Sequence, residues 1–583
     1  MIQENYFTDD RDLQFLFRNF VNWENVAIAC EGKDFIEHKE YIQTGNPRLE
    51  MAPGSVEEAI DLYYSTLDSL GELFGKELSL YSGENDKIGL RYENGKVIFP
   101  ESLLASFERL KQSGLMPYAI SRRAEGLGMP MTVSAIYAMI MARGDVSLCM
   151  TANLLNLAQI VYRYGTEEQI EQFTVPASRC ETVFAMSLTE PDYGSDLNSV
   201  TTIAQRQEDG KYRITGTKRF ISQGCGIGDT PALLLTLART GKKGSGARGL
   251  SVFLNSSRDV QVAGIEKKMG IHASPTCELV YEETIGELLG EEGAGLTRCT
   301  SGMTNFMRLA SAGGGAGGGA AAYYESLKYA GERLQFGKPI KEIPAVREML
   351  DKMRRESNAM RLLALETGYS VDMFQHEQIR KEKNGISDRE IRQDPEFRKW
   401  NSIAGILTPL AKYHCSEEGN KLAYLAVQVH GGAGYTEDYD VSRIYRDARI
   451  NSIYEGTSQI QVRISIGGLV SGMSKDGIFR RYIEELREKI DRYKELIDEQ
   501  ERIFENSLEI FRGIKDEDRK QKLSECLIVI AVRAICSLLY AGILNKVEED
   551  SDLSYWITDC KDFLIESTGM MKANEYRMSA YAD

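Results

Sequence analysis

From about Thr182 to Glu283 the apolar residues change period, and this switch limits the folds open to the chain more than any other feature. Runs such as TVFAMSL, KYRITGTKRFIS, ALLLTLAR and GLSVFLN are short, β-branched and separated by glycine-rich turns, which is strand patterning. On either side, apolar residues recur at the three- and four-residue spacing of helices. The order is helices, a β unit, helices and then more helices, so the chain is expected to be an α+β protein with a barrel or sandwich in its middle.

Local signals sharpen this outline. Ser55 followed by Glu58 reads as an N-cap opening the helix of VEEAIDLYYSTLDSLGELFG. Asn94-Gly95, within RYENGKVIF, reads as the turn of a small hairpin, because this pair tolerates positive φ at both positions. SAIYAMIMARGDVSLCMTANLLNLAQIVYRYG is apolar on nearly every side and is expected as core helices, with a membrane span as the alternative. The charged stretch from His376 to Lys399 reads as an exposed loop or helical excursion. The expected parts are an N-terminal extension over 1–54, a helical domain over 55–182 and a middle β domain over 183–291. A helical segment over 292–470 and an extra helical domain over 471–583 complete the chain.

Bulk properties remove several function classes. A chain of 583 residues has room for two to four units. A formal charge of −16 argues against general nucleic-acid binding, and the 18 basic against 24 acidic side chains of 471–583 give that segment no basic excess. Ten cysteines form no Cys-x-x-Cys pair, and His38, His272, His376, His414 and His430 are dispersed, so neither structural zinc nor a disulfide framework is supported. MIQENYFTDDRDLQF has no basic n-region or apolar h-region, so a cytoplasmic protein is expected. Leu527 to Leu544 (LIVIAVRAICSLLYAGIL) approaches the length of a membrane span, but Arg533 sits near its middle; a buried helix of a bundle is the better reading.

The glycine-rich run Gly313 to Ala320 lacks the Lys-Ser/Thr of a phosphate loop and follows no strand. It reads as small residues that let helices approach closely, with a flexible linker as the alternative. Four other segments occur in one order: LTEPDYGSD (Leu188 to Asp196), TGTKRFISQG (Thr215 to Gly224), ERLQFGKPI (Glu332 to Ile340) and QVHGGAGYTEDYDVSRIYRDARINSIYEGTSQIQ (Gln428 to Gln461). Together they resemble the acyl-CoA dehydrogenase family over about residues 55 to 470, which implies that 292–470 forms a four-helix bundle. The N-terminal NYFTDDRDLQF, the insertion and the C-terminal helices resemble its long bacterial subgroup that contains methylthiopropionyl-CoA dehydrogenase, while GTSQIQVRISIG looks more like the short- and medium-chain members.

The resemblance implies FAD as cofactor, with Met186, Leu188 and Thr189 lining the flavin and Ser195 on the CoA side. Phe220 and Ser222 stand where the family usually carries Trp and Thr, keeping an aromatic cover and a hydroxyl. Arg333, with Gln335 and Phe336, belongs to an Arg-x-x-Phe-Gly arrangement that meets the FAD diphosphate of a neighbouring subunit, which suits a planar guanidinium fork. This implies a homodimer or homotetramer. Where the family often places a flavin-side Gln, Ile343-Pro344 stands instead, which puts that contact in doubt. Gln428, Gly431 and Gly432 would approach the adenine half, and Thr457 and Gln459 would also touch the cofactor. His430 is read as a packing residue.

Dehydrogenation across Cα–Cβ needs a base and a hydride acceptor, and no side chain accepts hydride. Glu455 resembles the family's α-proton base; shielded from water, such a carboxylate is expected to rise toward neutral pKa. Some relatives place the base one residue before the CoA-binding arginine, but here that position is Met307. Asn305, Arg308 and Gly456 would bind substrate, and the Glu455 N–H would help hold the thioester oxygen. Electron-transfer flavoprotein is the implied acceptor. An oxygen-reducing acyl-CoA oxidase, a DNA-damage-response relative whose extension is basic, and a membrane-associated very-long-chain dehydrogenase making contact through the C-terminal helices remain as alternatives. Acyl chain length stays open.

Overall fold

The computed structural model describes residues 3–242 and 244–581, and the chain divides into two compact units. One comprises Glu4–Tyr6 and Cys30–Ala310; the other joins Phe7–Ala29 to the chain from Ser311 onward.

In the first unit, the helix Val56–Lys76 opens at Ser55, whose Oγ accepts the Glu58 N–H at 3.2 Å. The Glu58 carboxylate accepts the Gly54 N–H at 2.7 Å, so the return bond lands one residue earlier than in a reciprocal capping box. Strands β1 (Arg91–Glu93) and β2 (Lys96–Ile98) form the expected hairpin, with Asn94 at φ +50° and Gly95 at φ +78°. The helices Met131–Gly144 and Val146–Leu155 are buried almost all round, as their apolar sequence requires.

Seven strands follow: β3 (Val183–Ser187), β4 (Ile203–Arg206), β5 (Tyr212–Ser222), β6 (Ala232–Arg239), β7 (Leu250–Ser256), β8 (Gln261–Ile265) and β9 (Thr276–Leu289). β6 pairs with β7, β7 with β9, β9 with β5, β5 with β4 and β4 with β6. These strands return on themselves, a closure that removes exposed edges. β3 lies parallel beside β6, and β8 pairs with β9. Every residue of β6 is buried, which matches the run ALLLTLAR, apolar except for Thr236 and Arg239.

The second unit is helical. Its glycine-rich run lies inside the continuous helix Ser301–Glu332. A Cβ on Gly315 would sit 2.5 Å from the Cys415 carbonyl oxygen, and one on Gly319 would sit 2.6 Å from Met360 Cε. The run therefore serves close helix packing and is not a linker. The charged insertion is shared among the helices Pro344–Lys383, Asp388–Ile391 and Pro395–His430.

The extra helices after residue 470 fall within this unit. The helix Glu517–Ile543 carries the membrane-length run, of which 89% is buried inside the protein. Arg533 donates to both carboxylate oxygens of buried Glu356, on Pro344–Lys383, at 2.8 and 2.9 Å. Trp556 is fully buried, lies 4.9 Å from Phe15 between ring centres and donates to Asp12 at 2.7 Å. Arg354 pairs with Asp559 at 2.7 and 2.8 Å, and Arg361 with Asp10 at 2.6 Å. Burying charge is tolerable only with such partners, so the Arg533–Glu356 and Arg354–Asp559 pairs tie these helices to Pro344–Lys383.

Candidate functional site

The β unit presents two neighbouring features. After β3 the chain turns at Pro191-Asp192, with Glu190 and Tyr193 exchanging backbone hydrogen bonds at 3.0 and 3.1 Å. Met186 and Thr189 are half-buried and Leu188 is buried. Ser195 follows in an exposed stretch. Along β5 the register against β9 slips between Lys218 and Ile221: Lys218 faces Leu279 and Ile221 faces Cys277, so β5 carries one extra residue. Such a bulge re-aims side chains. Here it puts Phe220 at φ +61° and leaves the residue 55% exposed, beside half-buried Ser222.

Two residues that sequence reasoning missed hold these features together. Lys218, fully buried, donates from Nζ to the Leu188 carbonyl at 2.9 Å and to Glu190 at 3.0 Å. Glu190 also accepts the Thr201 N–H and hydroxyl, each at 2.7 Å, and the Thr202 N–H at 2.8 Å. The Arg219 N–H donates to the Thr189 carbonyl at 2.9 Å. Burial alone would raise the Glu190 carboxyl, but Lys218 and these donors outweigh it and hold the group at about 2. For Lys218 burial wins over the carboxylate and pulls the ammonium down to about 8. A signal was available: Lys218 occupies the phase of β5 that Tyr212 and Ile214 bury, and a lysine there needs a partner.

In the same unit, Arg308 donates to the Asn305 side-chain oxygen at 2.7 Å, one turn apart on Ser301–Glu332. The two residues expected at the CoA moiety thus act as one polar pair. Met307 is fully buried.

The helical unit carries the remaining candidates. Arg333, Gln335 and Phe336 lie on an exposed hairpin, β10 (Leu334–Gln335) and β11 (Lys338–Pro339), with Phe336 at φ +53° and 91% exposed. Gln428 lies in the last turn of the helix Pro395–His430, and Gly431 at φ +62° stops it. Added Cβ atoms at Gly431 and Gly432 would meet nothing within 4 Å, so the backbone there is open to a close-lying group. His430 stacks on Tyr329 at 4.2 Å and its Nδ1 bonds the Ala426 carbonyl at 2.8 Å; burial lowers its pKa. That is a packing role.

Glu455 is half-buried at φ +54°, next to Gly456 at φ +89° and just before the helix Ser458–Gly472. A left-handed conformation in a residue with a Cβ costs about 1–3 kcal/mol and persists only where neighbours enforce it. Gln461 Nε2 donates to the Glu455 carbonyl at 3.0 Å and the Gly456 carbonyl at 2.9 Å. Lys412 Nζ donates to the Gly456 carbonyl at 2.8 Å. Thr457 is half-buried and Gln459 exposed. Among the described residues, no group of three His, Cys, Asp or Glu could hold a metal ion.

Profiles of the acyl-CoA dehydrogenase N-terminal, middle and C-terminal domains match residues 87–181, 185–284, and 293–387 with 390–469. The chain is 32% identical over 454 residues to 3-methylmercaptopropionyl-CoA dehydrogenase of Ruegeria pomeroyi, covering 72% of this chain and 73% of that one. The structure of butyryl-CoA dehydrogenase from Megasphaera elsdenii aligns with a TM-score of 0.58 at 27% identity, over 70% of this chain and 98% of that one. An acyl-CoA dehydrogenase from Bacillus anthracis complexed with FAD matches the fold with a TM-score of 0.73 at 21% identity, over 90% and 88% of the two chains.

Proposed function

This chain belongs to the acyl-CoA dehydrogenase family, an FAD-binding family of oxidoreductases, and on that premise we propose that it converts an acyl-CoA thioester to the trans-2-enoyl-CoA. The residues present fit the dinucleotide: Phe220 exposes an aromatic face, Gly431 and Gly432 leave their backbone open, and Arg333 offers an exposed guanidinium. When bound, FAD supplies the acceptor for the β hydride. Glu455 takes the α proton on a carboxylate oxygen, and its backbone N–H helps hold the thioester oxygen, which acidifies that proton. Arg308 and Asn305, already paired, bind the CoA portion. Thr189 and Ser222 orient the cofactor as hydroxyl donors, and Gln428, Thr457 and Gln459 support its remainder.

Reducing equivalents pass to an electron-transfer flavoprotein. The exposed hairpin bearing Arg333 and Phe336 supports self-association as a dimer or tetramer.

The observation that carries this reading is Glu455 itself, a carboxylate held in a strained left-handed turn where the family resemblance places the base. Glu455→Gln keeps size and removes the base. Folding, FAD content and CoA-thioester binding should survive, while flavin bleaching by saturating acyl-CoA, followed by stopped flow, should fall by about two to four orders of magnitude. Bleaching at the wild-type rate would remove Glu455 from the mechanism.

A further inference from the structure

We propose that Gln461 and Lys412 are positioning residues for Glu455, fixing the two peptide planes that follow it and so the direction of its carboxylate. The inference rests on Glu455 being the base. Gln461 is fully buried, and its Nε2 contacts the Glu455 and Gly456 carbonyls at 3.0 and 2.9 Å. Among the described residues its buried Oε1 has no hydrogen-bond partner. An unmet acceptor offsets part of what the two donated bonds contribute to stability. What the amide does is hold two carbonyls.

Gly456 is shaped to receive it: a Cβ there would lie 2.8 Å from Gln461 Nε2, and its φ of +89° suits glycine. Lys412, also fully buried on Pro395–His430, reaches the Gly456 carbonyl at 2.8 Å from another helix. Two donors from two helices thus fix both peptides that follow Glu455. Without them, a residue with a Cβ would relax toward negative φ and swing its carboxylate. Displacement of a reacting group by an ångström is enough to slow a reaction by about 100-fold.

The experiment compares Gln461→Leu and Lys412→Met, each as the FAD-loaded full-length protein, alone and combined with Glu455→Gln. Flavin content, thermal midpoint and affinity for a CoA thioester should stay near wild type. Bleaching at saturating substrate should slow by about 10- to 100-fold, so the effect falls on the rate constant and not on binding. In the Glu455→Gln background the same changes should have almost no further effect, because they act through Glu455. Wild-type bleaching in both single variants overturns the proposal. So do fully additive effects on Glu455→Gln, or loss of folding or flavin in both variants, which would make the two residues structural. If Glu455→Gln itself bleaches normally, the base assignment has failed instead, and the single variants then report on the turn alone.

Discussion

The bulge at Phe220 and the turn at Glu455 solve one problem with different chemistry. Each holds a residue with a Cβ at positive φ, +61° and +54°, and each is braced by a fully buried lysine. In the β unit Lys218 grips the Leu188 carbonyl and the Glu190 carboxylate, so that brace includes a buried ion pair. In the helical unit Lys412 and the neutral amide of Gln461 meet backbone carbonyls. An ion pair is strong while both charges persist and damaging when one is lost. Amide-to-carbonyl bonds are weaker but indifferent to pH.

The comparison breaks most visibly at Lys218. Lys218→Met leaves Glu190 buried without its counter-ion, and unfolding in denaturant should show a loss of about 3–5 kcal/mol. FAD content should fall with it, because the turn at Leu188–Glu190 and the bulge would separate. A variant that keeps its flavin and its midpoint would show that the two features do not depend on this pair.

Acid gives a smaller, graded test. Glu190 is held at about 2 against an ordinary 4.5. Between those values the unfolded chain takes up a proton that the folded chain refuses, so the stabilisation is complete above pH 4.5 and is lost as pH falls toward 2. The difference in unfolding free energy between wild type and Glu190→Gln should therefore shrink below pH 4.5. A gap that is constant with pH would mean that ionisation of Glu190 does not supply the brace. The helical brace should give no such acid limb for Gln461→Leu.

The smallest effect lies away from both braces. Ser55→Ala removes the cap on Val56–Lys76 and should cost about 1 kcal/mol, with flavin bleaching unchanged. A loss of bleaching there would show that stability and catalysis are coupled across the β-containing unit.

Local patterns in the sequence determined a good deal. The cap at Ser55, the Asn94-Gly95 turn, the strands between Val183 and Leu289 and the buried helix around Arg533 were legible because each depends on neighbours a few residues away. The family was legible for the same reason, from contiguous strings between Leu188 and Gln461. Tertiary structure alone decided what holds them. Lys218 finds Glu190 across 28 residues, Lys412 finds Gly456 across 44, and Arg533 finds Glu356 across 177. A charge in a helix or strand shows that some partner is needed, but burial and chain crossing choose which one. The positive φ of Phe220 and Glu455 belongs to the same class: no local preference puts an aromatic or a glutamate there, and only a fold that supplies several donors at once can keep it.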